Sequence, residues 1–364
     1  MTFKIHQLLA SAYPFDAITQ YSLYLKSTLQ SKCMESKIFV PTRNISDKLK
    51  SKVIPLNEIH NNISTSDTIM YHYSISSPAT QIYKTLNAKK ILCYHNITPP
   101  EFFLKYSDGF ASNLLEGRNE LAGLKDITHM AIADSDFNKS ELEQMDFKNI
   151  YTLPLLLTEN FDENLPDKSI VSKMNDGHTN FLFVGRVVPN KNFEGIIKTF
   201  AIYHKTINSN SRLTLIGDTN VLPSYYNYLL QLIREYSLQD KVHFTGNVSL
   251  NELMAYYKTA HVFLCLSHHE GFCIPVIESM RFKIPVFALS KGAITETLGN
   301  SGILIKEENY HKISELINYV LNSPDIQTQI IKKQTERLGF FSKERFDANL
   351  KAVLSFLNPK IVQK

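Results

Sequence analysis

The sequence predicts an α/β protein with parallel sheets divided between two domains, and three observations lead there. Short apolar runs alternate with longer stretches of helical periodicity along most of the chain, which is the pattern of β-α-β units. The 364 residues exceed what one hydrophobic core usually serves. The segment TENFDENLPDKSIVSKMNDGHTN, residues 158–180, is rich in Asp, Asn and Lys and breaks the alternation, so the linker is placed there.

In chain order, the strands expected in the first half are FKIHQLL, SKIFV, TIMYHY, KILCYH, HMAIADS and IYTLPL. Those of the second half are NFLFVGR, RLTLIGD, VHFTGN, HVFLCLS, IPVFALS and GILI. The domains are placed at residues 1–160 and 161–340. Residues 341–357, FSKERFDANLKAVLSFL, have the apolar spacing of one amphipathic helix that packs on either domain.

Composition excludes several classes. Hydrophobic residues make up 43% and charged residues 20%, ordinary for a folded soluble domain and too apolar for disorder. The net charge is +4, and residues 1–160 carry 16 Lys/Arg against 16 Asp/Glu, so the excess lies in the second half. That argues against nucleic acid as a partner and fits a small anionic ligand in the second domain. The four cysteines form no C-x-x-C pair, which points to free thiols in a reducing cytosol and to no zinc site. No stretch approaches about 18 uninterrupted apolar residues, so a cytoplasmic protein is expected, with at most peripheral membrane attachment.

Four strands of the second half end alike, in VGR, IGD, TGN and SHHEG, passing from apolar residues to Gly or Ser and then to a polar group. In doubly wound sheets ligands bind at these carboxyl ends, where small residues permit close backbone approach. After the first of them, Arg186 stands at the strand end and Lys191 near the start of the helical stretch NFEGIIKTFAIYHK. Two cations and the free N–H groups of a helix start suit a phosphate. No Walker A or G-x-G-x-x-G spacing occurs.

After HVFLCLS the loop His268-His269-Glu270-Gly271 leads to Pro275, suited to a first helical turn, so Gly271 to Ile274 present N–H groups as a second anion cradle. Glu278 is expected in the first turn of that helix, where the macrodipole alone favours it by roughly 0.3–1 kcal/mol. Glu270 lies beside the cradle, where Coulomb repulsion disfavours a carboxylate. A ligand bearing both phosphates and vicinal hydroxyls, such as a nucleoside diphosphate sugar, reconciles the two.

These stretches carry a resemblance. EGFCIPVIE resembles the E-x7-E motif of retaining glycosyltransferases of family 4, and FVGRVVPNKN resembles their G-R-x-x-x-x-K diphosphate motif. FTGNVS and ALSKGAITETLGNSGILI resemble two further family segments, so the likeness covers about residues 178–320. It implies the GT-B fold: two Rossmann-like domains facing across a cleft, the donor on the C-terminal one, and a last helix, residues 341–364, crossing back. By position it implies that Arg186 and Lys191 bind the donor diphosphate together with Gly185, that Glu278 binds the ribose, and that Val248 lies near the base. Glu270 would hold hydroxyls of the transferred sugar, and the N–H groups of Gly271, Phe272, Cys273 and Ile274 would serve sugar and phosphates. Cys273 departs from the family's glycine; its side chain either narrows the sugar pocket or tolerates the same backbone.

In the first half, His95 ends the strand of KKILCYHNITPPEFF, where a histidine alone reads as structural; the family places one there facing the donor sugar. YHYSISSP and HNITPPEFF resemble bacterial polysaccharide-assembly members that transfer mannose or D-rhamnose, with Asn96 as a possible acceptor contact. Asp16, in the turn after the first strand, either caps the following helix or touches the acceptor, and capping is preferred. Asp134-Ser135-Asp136 has the look of a metal-binding D-x-D and reads better as a helix cap. The resemblance implies no cofactor and no metal, with the nucleotide sugar as a substrate, best matched by GDP-mannose, and a glycan or lipid-linked glycan as acceptor. The open alternatives are a UDP-sugar donor, a nucleotide-sugar epimerase, a non-catalytic sugar-nucleotide-binding protein, and a glycosidase, whose paired acids would leave Arg186 and Lys191 unexplained.

Overall fold

The computed structural model describes residues 3–14, 16–156, 161 and 163–357. The chain divides into two compact units, one made of Met1–Glu101, Gly109–Thr158 and Lys343–Lys364, the other of Phe102–Asp108 and Glu159–Ser342. The sequence boundary between 160 and 161 falls among residues that are mostly outside the described ones. Phe102–Asp108, a piece of the first half, belongs to the second unit, where the Tyr106 ring packs edge-on against Tyr225 at 5.0 Å.

The first unit holds seven parallel strands: β1 (Ile5–Leu9), β2 (Ile38–Val40), β3 (Ile54–Pro55), β4 (Thr68–Tyr73), β5 (Lys89–Tyr94), β6 (Met130–Ala133) and β7 (Ile150–Thr152). Their order is β3-β2-β1-β4-β5-β6-β7, with every recorded pairing parallel. The two-residue β3 is too short to show a period, which is why sequence reading misses it. The helix Lys343–Leu357 belongs to this unit: Phe346 meets Tyr21 and Tyr24 edge-on, and Lys89 Nζ donates to the Leu357 carbonyl at 3.0 Å.

The second unit has six parallel strands: β8 (Thr179–Val184), β9 (Ser211–Ile216), β10 (Val242–Gly246), β11 (Val262–Cys265), β12 (Val286–Leu289) and β13 (Ile303–Ile305). They lie in the order β10-β9-β8-β11-β12-β13. β9, β11 and β12 are buried at every residue, as expected of strands covered on both faces. The stretch expected to be only linker contains a helix, Lys168–Met174, whose first N–H groups at Ser169 and Ile170 are capped by Asp167 at 2.9 and 3.0 Å. Two turns of helix are too short for an amphipathic period to emerge from the sequence.

The topology positions the site. Strand order reverses between β8 and β11, which pair directly through Val262 with Phe181 and Phe263 with Leu182. The loops leaving their carboxyl ends therefore diverge and leave a crevice, the usual ligand position in such sheets. One loop carries Arg186 and Lys191; the other carries Glu270.

Candidate active site

After β8 the chain enters the short 3-10 turn Pro189–Lys191, then Asn192 adopts a left-handed conformation (φ 52°) and starts the helix Phe193–Thr206. Asn190 stitches this loop to the one after β11. Its carbonyl accepts from the His268 N–H at 2.8 Å, and its side-chain Nδ2 donates to the His269 carbonyl at 3.0 Å. Neighbouring Lys191 reaches across the seam, and its Nζ lies 2.5 Å from Glu270 Oε2, in a pair whose side chains are 16% and 7% exposed.

This ion pair accounts for a carboxylate beside an anion cradle. In water-poor surroundings the attraction of unlike charges at contact is large, and each ion would be costly there without the other. The backbone of Glu270 is also fixed. Its carbonyl accepts from the Ala293 N–H at 3.0 Å, and Gly292 (φ 55°) lies so close that a Cβ there would come within 2.7 Å of that carbonyl oxygen. In the sequence Gly292 shows only as a glycine three residues beyond the end of β12.

The helix expected at Pro275 runs from Ile274 to Arg281, with Pro275 in its first turn and Cys273 as N-cap. No acceptor among the described residues receives the N–H groups of Phe272, Cys273 or Ile274, so they remain available to an anion. One expectation is corrected here. Glu278 is not in the first turn, so the macrodipole does not explain it. It is buried, and Tyr257, a residue not foreseen, donates its hydroxyl to Glu278 Oε2 at 2.6 Å. Burial first, then the Glu278 carboxylate, push the Tyr257 hydroxyl well above its ordinary pKa, so it acts as a fixed donor. In the helix after Lys191, Phe193 N donates to the Tyr225 hydroxyl at 3.2 Å and Gly195 N to Asn192 Oδ1 at 3.0 Å, so of its first three N–H groups that of Glu194 has no acceptor among the described residues.

Arg186 is exposed, and its guanidinium makes no hydrogen bond or ion pair among the described residues. Gly185 precedes it at the strand end, against which Gly217 packs so tightly that a Cβ on Gly217 would sit 1.9 Å from the Gly185 carbonyl oxygen. Val248 lies half-buried in the loop after β10. His268 is tied to Glu308 at 2.7 Å and to Asn192 at 3.0 Å.

Cys273 has φ 75° and ψ 68°, the left-handed region that favours glycine and costs other residues roughly 1–2 kcal/mol. The chain thus keeps the glycine backbone and adds a buried thiol. That thiol lies beside Cys265 at the end of β11 and beside the Glu270 carboxylate, the three ligand atoms all within 4.8 Å of one another. The hydrogen bond with Cys265, burial and the Glu270 charge together hold the Cys273 thiol well above its ordinary pKa.

In the first unit, His95 is engaged on both ring nitrogens. Nδ1 is 2.8 Å from Asp134 Oδ2, Nε2 is 2.9 Å from His72 Nδ1, and His72 Nε2 is 2.9 Å from Gln7 Oε1. The His95 side chain is 2% exposed, and its ring stacks parallel on His72. Burial pushes Asp134 above the ordinary carboxylate value although His95 opposes the shift, and it lowers His72 well below 6.5. Within Asp134-Ser135-Asp136 the helix cap is Ser135, which accepts from Asn138 N at 3.1 Å, while Asp136 accepts from the Thr152 hydroxyl at 2.6 Å. Asn96 (φ 72°) uses its amide on Asn138 and Glu141, at 2.9 and 2.8 Å. Asp16 caps the helix Ala17–Ser31, accepting from Thr19 N and Thr19 Oγ1, both at 2.8 Å.

Comparison with known proteins places this geometry. Residues 166–337 match the family described as glycosyl transferases group 1. They form a group 1 glycosyltransferase domain. This domain holds both loops of the crevice. The chain is similar to the O-antigen chain mannosyltransferase RfbU of Salmonella typhimurium, 29% identical over 162 residues, covering 44% of each protein. The chain spans about half the length of the curated relatives it matches. Among solved structures it is similar to a sucrose-phosphate synthase from Thermosynechococcus elongatus, with a TM-score of 0.74 and 16% identity over 98% of this chain and 99% of that one. It is also similar to Anabaena Alr3699/HepE solved with UDP and glucose, with a TM-score of 0.73 and 17% identity over 97% and 99%. At these identities the likeness shows the fold, GT-B.

Proposed function

We propose that this chain is a retaining, metal-independent glycosyltransferase that moves a hexose, mannose from GDP-mannose, to a growing glycan such as a lipid-linked O-antigen or capsule precursor. The observation that carries the reading is the Lys191–Glu270 pair beside three N–H groups that donate to nothing among the described residues, at the point where strand order reverses.

When the donor binds, Lys191 turns from Glu270 to the diphosphate, and Glu270 takes up sugar hydroxyls in its place. Arg186 supplies the second cation, and the N–H groups of residues 272–274 complete the cradle. Negative charge grows on the diphosphate as the glycosidic bond breaks, so these groups stabilise the transition state more than the ground state. Glu278, aimed by Tyr257, grips the ribose. The leaving phosphate helps to deprotonate the acceptor on the same face of the sugar, so no protein nucleophile is needed. Both ring nitrogens of His95 are engaged, on His72 and Asp134, and so held the residue positions its strand end.

The mannose assignment is supported by the name of the Salmonella relative and by the first-half motifs. A UDP-sugar donor is the second reading, favoured by the UDP and glucose bound in the Anabaena neighbour. No helix among the described residues is long and apolar enough to cross a membrane, and a lipid-linked acceptor would draw the protein to the inner face of the cell membrane. The test incubates the protein with GDP-, UDP-, ADP- and dTDP-sugars plus acceptor and follows free nucleoside diphosphate. Release with GDP-mannose is expected, and Arg186→Ala should lower it on the order of 100-fold. Release with no donor would sink the proposal, and an isomerised donor without acceptor would identify an epimerase.

A further inference from the structure

We infer that Cys265, Glu270 and Cys273 together bind a thiophilic divalent cation of the zinc or cadmium kind. Their two sulfurs and one carboxylate oxygen lie within 4.8 Å of one another, and all three residues are buried. No other set of three His, Cys, Asp or Glu among the described residues gathers its ligand atoms so closely. Cys265 ends a core strand, Cys273 caps a helix and Glu270 is pinned by Ala293, so the site rests on rigid elements.

The chemistry fits. Two thiolates and a carboxylate suit a borderline-soft ion, which holds sulfur at about 2.3 Å and oxygen at about 2.0–2.2 Å in a tetrahedron, with a fourth position left for water. Ligand atoms of such a tetrahedron stand about 3.5–3.8 Å apart, so closing the cluster by about 1 Å suffices. A positive charge already occupies the place, since the Lys191 ammonium is 2.5 Å from Glu270. The incoming ion displaces that ammonium, and the two thiols release their protons to solvent as they bind. The thiol at 273 sits in a backbone conformation better served by glycine, so its presence calls for a role.

One consequence rests on the donor-site reading: ion and donor sugar both need Glu270, so they exclude one another. The test titrates cadmium into the full chain carrying Cys33→Ser, which removes the exposed thiol, under a reductant that does not bind metals. One equivalent with a thiolate-to-cadmium charge-transfer band is expected, weakened on the order of 100-fold in Cys273→Gly. That variant suits the left-handed backbone, and circular dichroism confirms its fold. Absence of the band in an excess of cadmium, or an undiminished band in Cys273→Gly, overturns the inference. If cadmium binds and nucleotide sugars do not displace it, the metal site stands and the donor-site reading falls. If nucleotide sugars raise the melting temperature and cadmium does not bind, the reverse holds.

Discussion

The two units treat their polar groups in opposite ways. In the first, Gln7, His72, His95 and Asp134 form one unbroken line of hydrogen bonds with little exposure. In the second, among the described residues, Lys191 and Glu270 neutralise each other beside N–H groups with no partner, and exposed Arg186 stands free. A saturated line holds a shape, whereas a charged pair next to open donors stores binding capacity that a ligand can claim. Perturbed polar groups are therefore an ambiguous sign of chemistry, and unspent donors are the more telling one.

The sharpest break of this contrast is Lys191→Ala. It should lower turnover on the order of 100-fold and, by stranding buried Glu270, destabilise the second unit by about 3 kcal/mol. Arg186→Ala should match the kinetic loss and leave stability within about 0.5 kcal/mol. Urea unfolding beside steady-state rates separates the two, and equal destabilisation would show that Arg186 has an internal partner.

The histidine line should respond to acid. His72 is held well below 6.5 by burial and by His95, so between its folded value and 6.5 the unfolded chain binds the proton and the folded one does not. Stability is thus intact above about pH 6.5 and falls as pH drops below it, by at most about 1.4 kcal/mol per pH unit for this proton. His72→Gln should flatten that fall in urea midpoints measured from pH 7.5 to 5. An unchanged slope would assign the acid sensitivity to other groups, such as buried His6.

The smallest effect is expected at Asp16. As a cap, Asp16→Ala costs about 1 kcal/mol and Asp16→Asn restores it. A rise in acceptor KM in both variants would instead mark an acceptor contact.

Strands were the most legible part of the sequence because their apolar runs are long and bounded by turn residues; only two-residue β3 escaped. The helix at 168–174 escaped for the same reason of length. The carboxylates and cations of the site were visible as residue types after glycine-bearing strand ends. What was not visible is who partners whom. Tyr257 lies 21 residues from the Glu278 it serves, and Asn190 lies 79 from the His269 carbonyl it holds. Such pairings are set by strand order, which a periodicity cannot encode. Glu278 was misplaced because helix starts carry an error of a residue or two, enough to move a charge out of the first turn.

The helix Lys343–Leu357 also bears on the order in which the protein is made. Phe346, Leu350, Val353 and Leu354 are buried in a unit whose other residues all precede position 159. During synthesis all residues of the second unit are made before this helix, and the unit begun first must wait for it to complete its core. Until then the surface around Tyr21 and Tyr24 lacks its cover, so the half translated first is the half finished last.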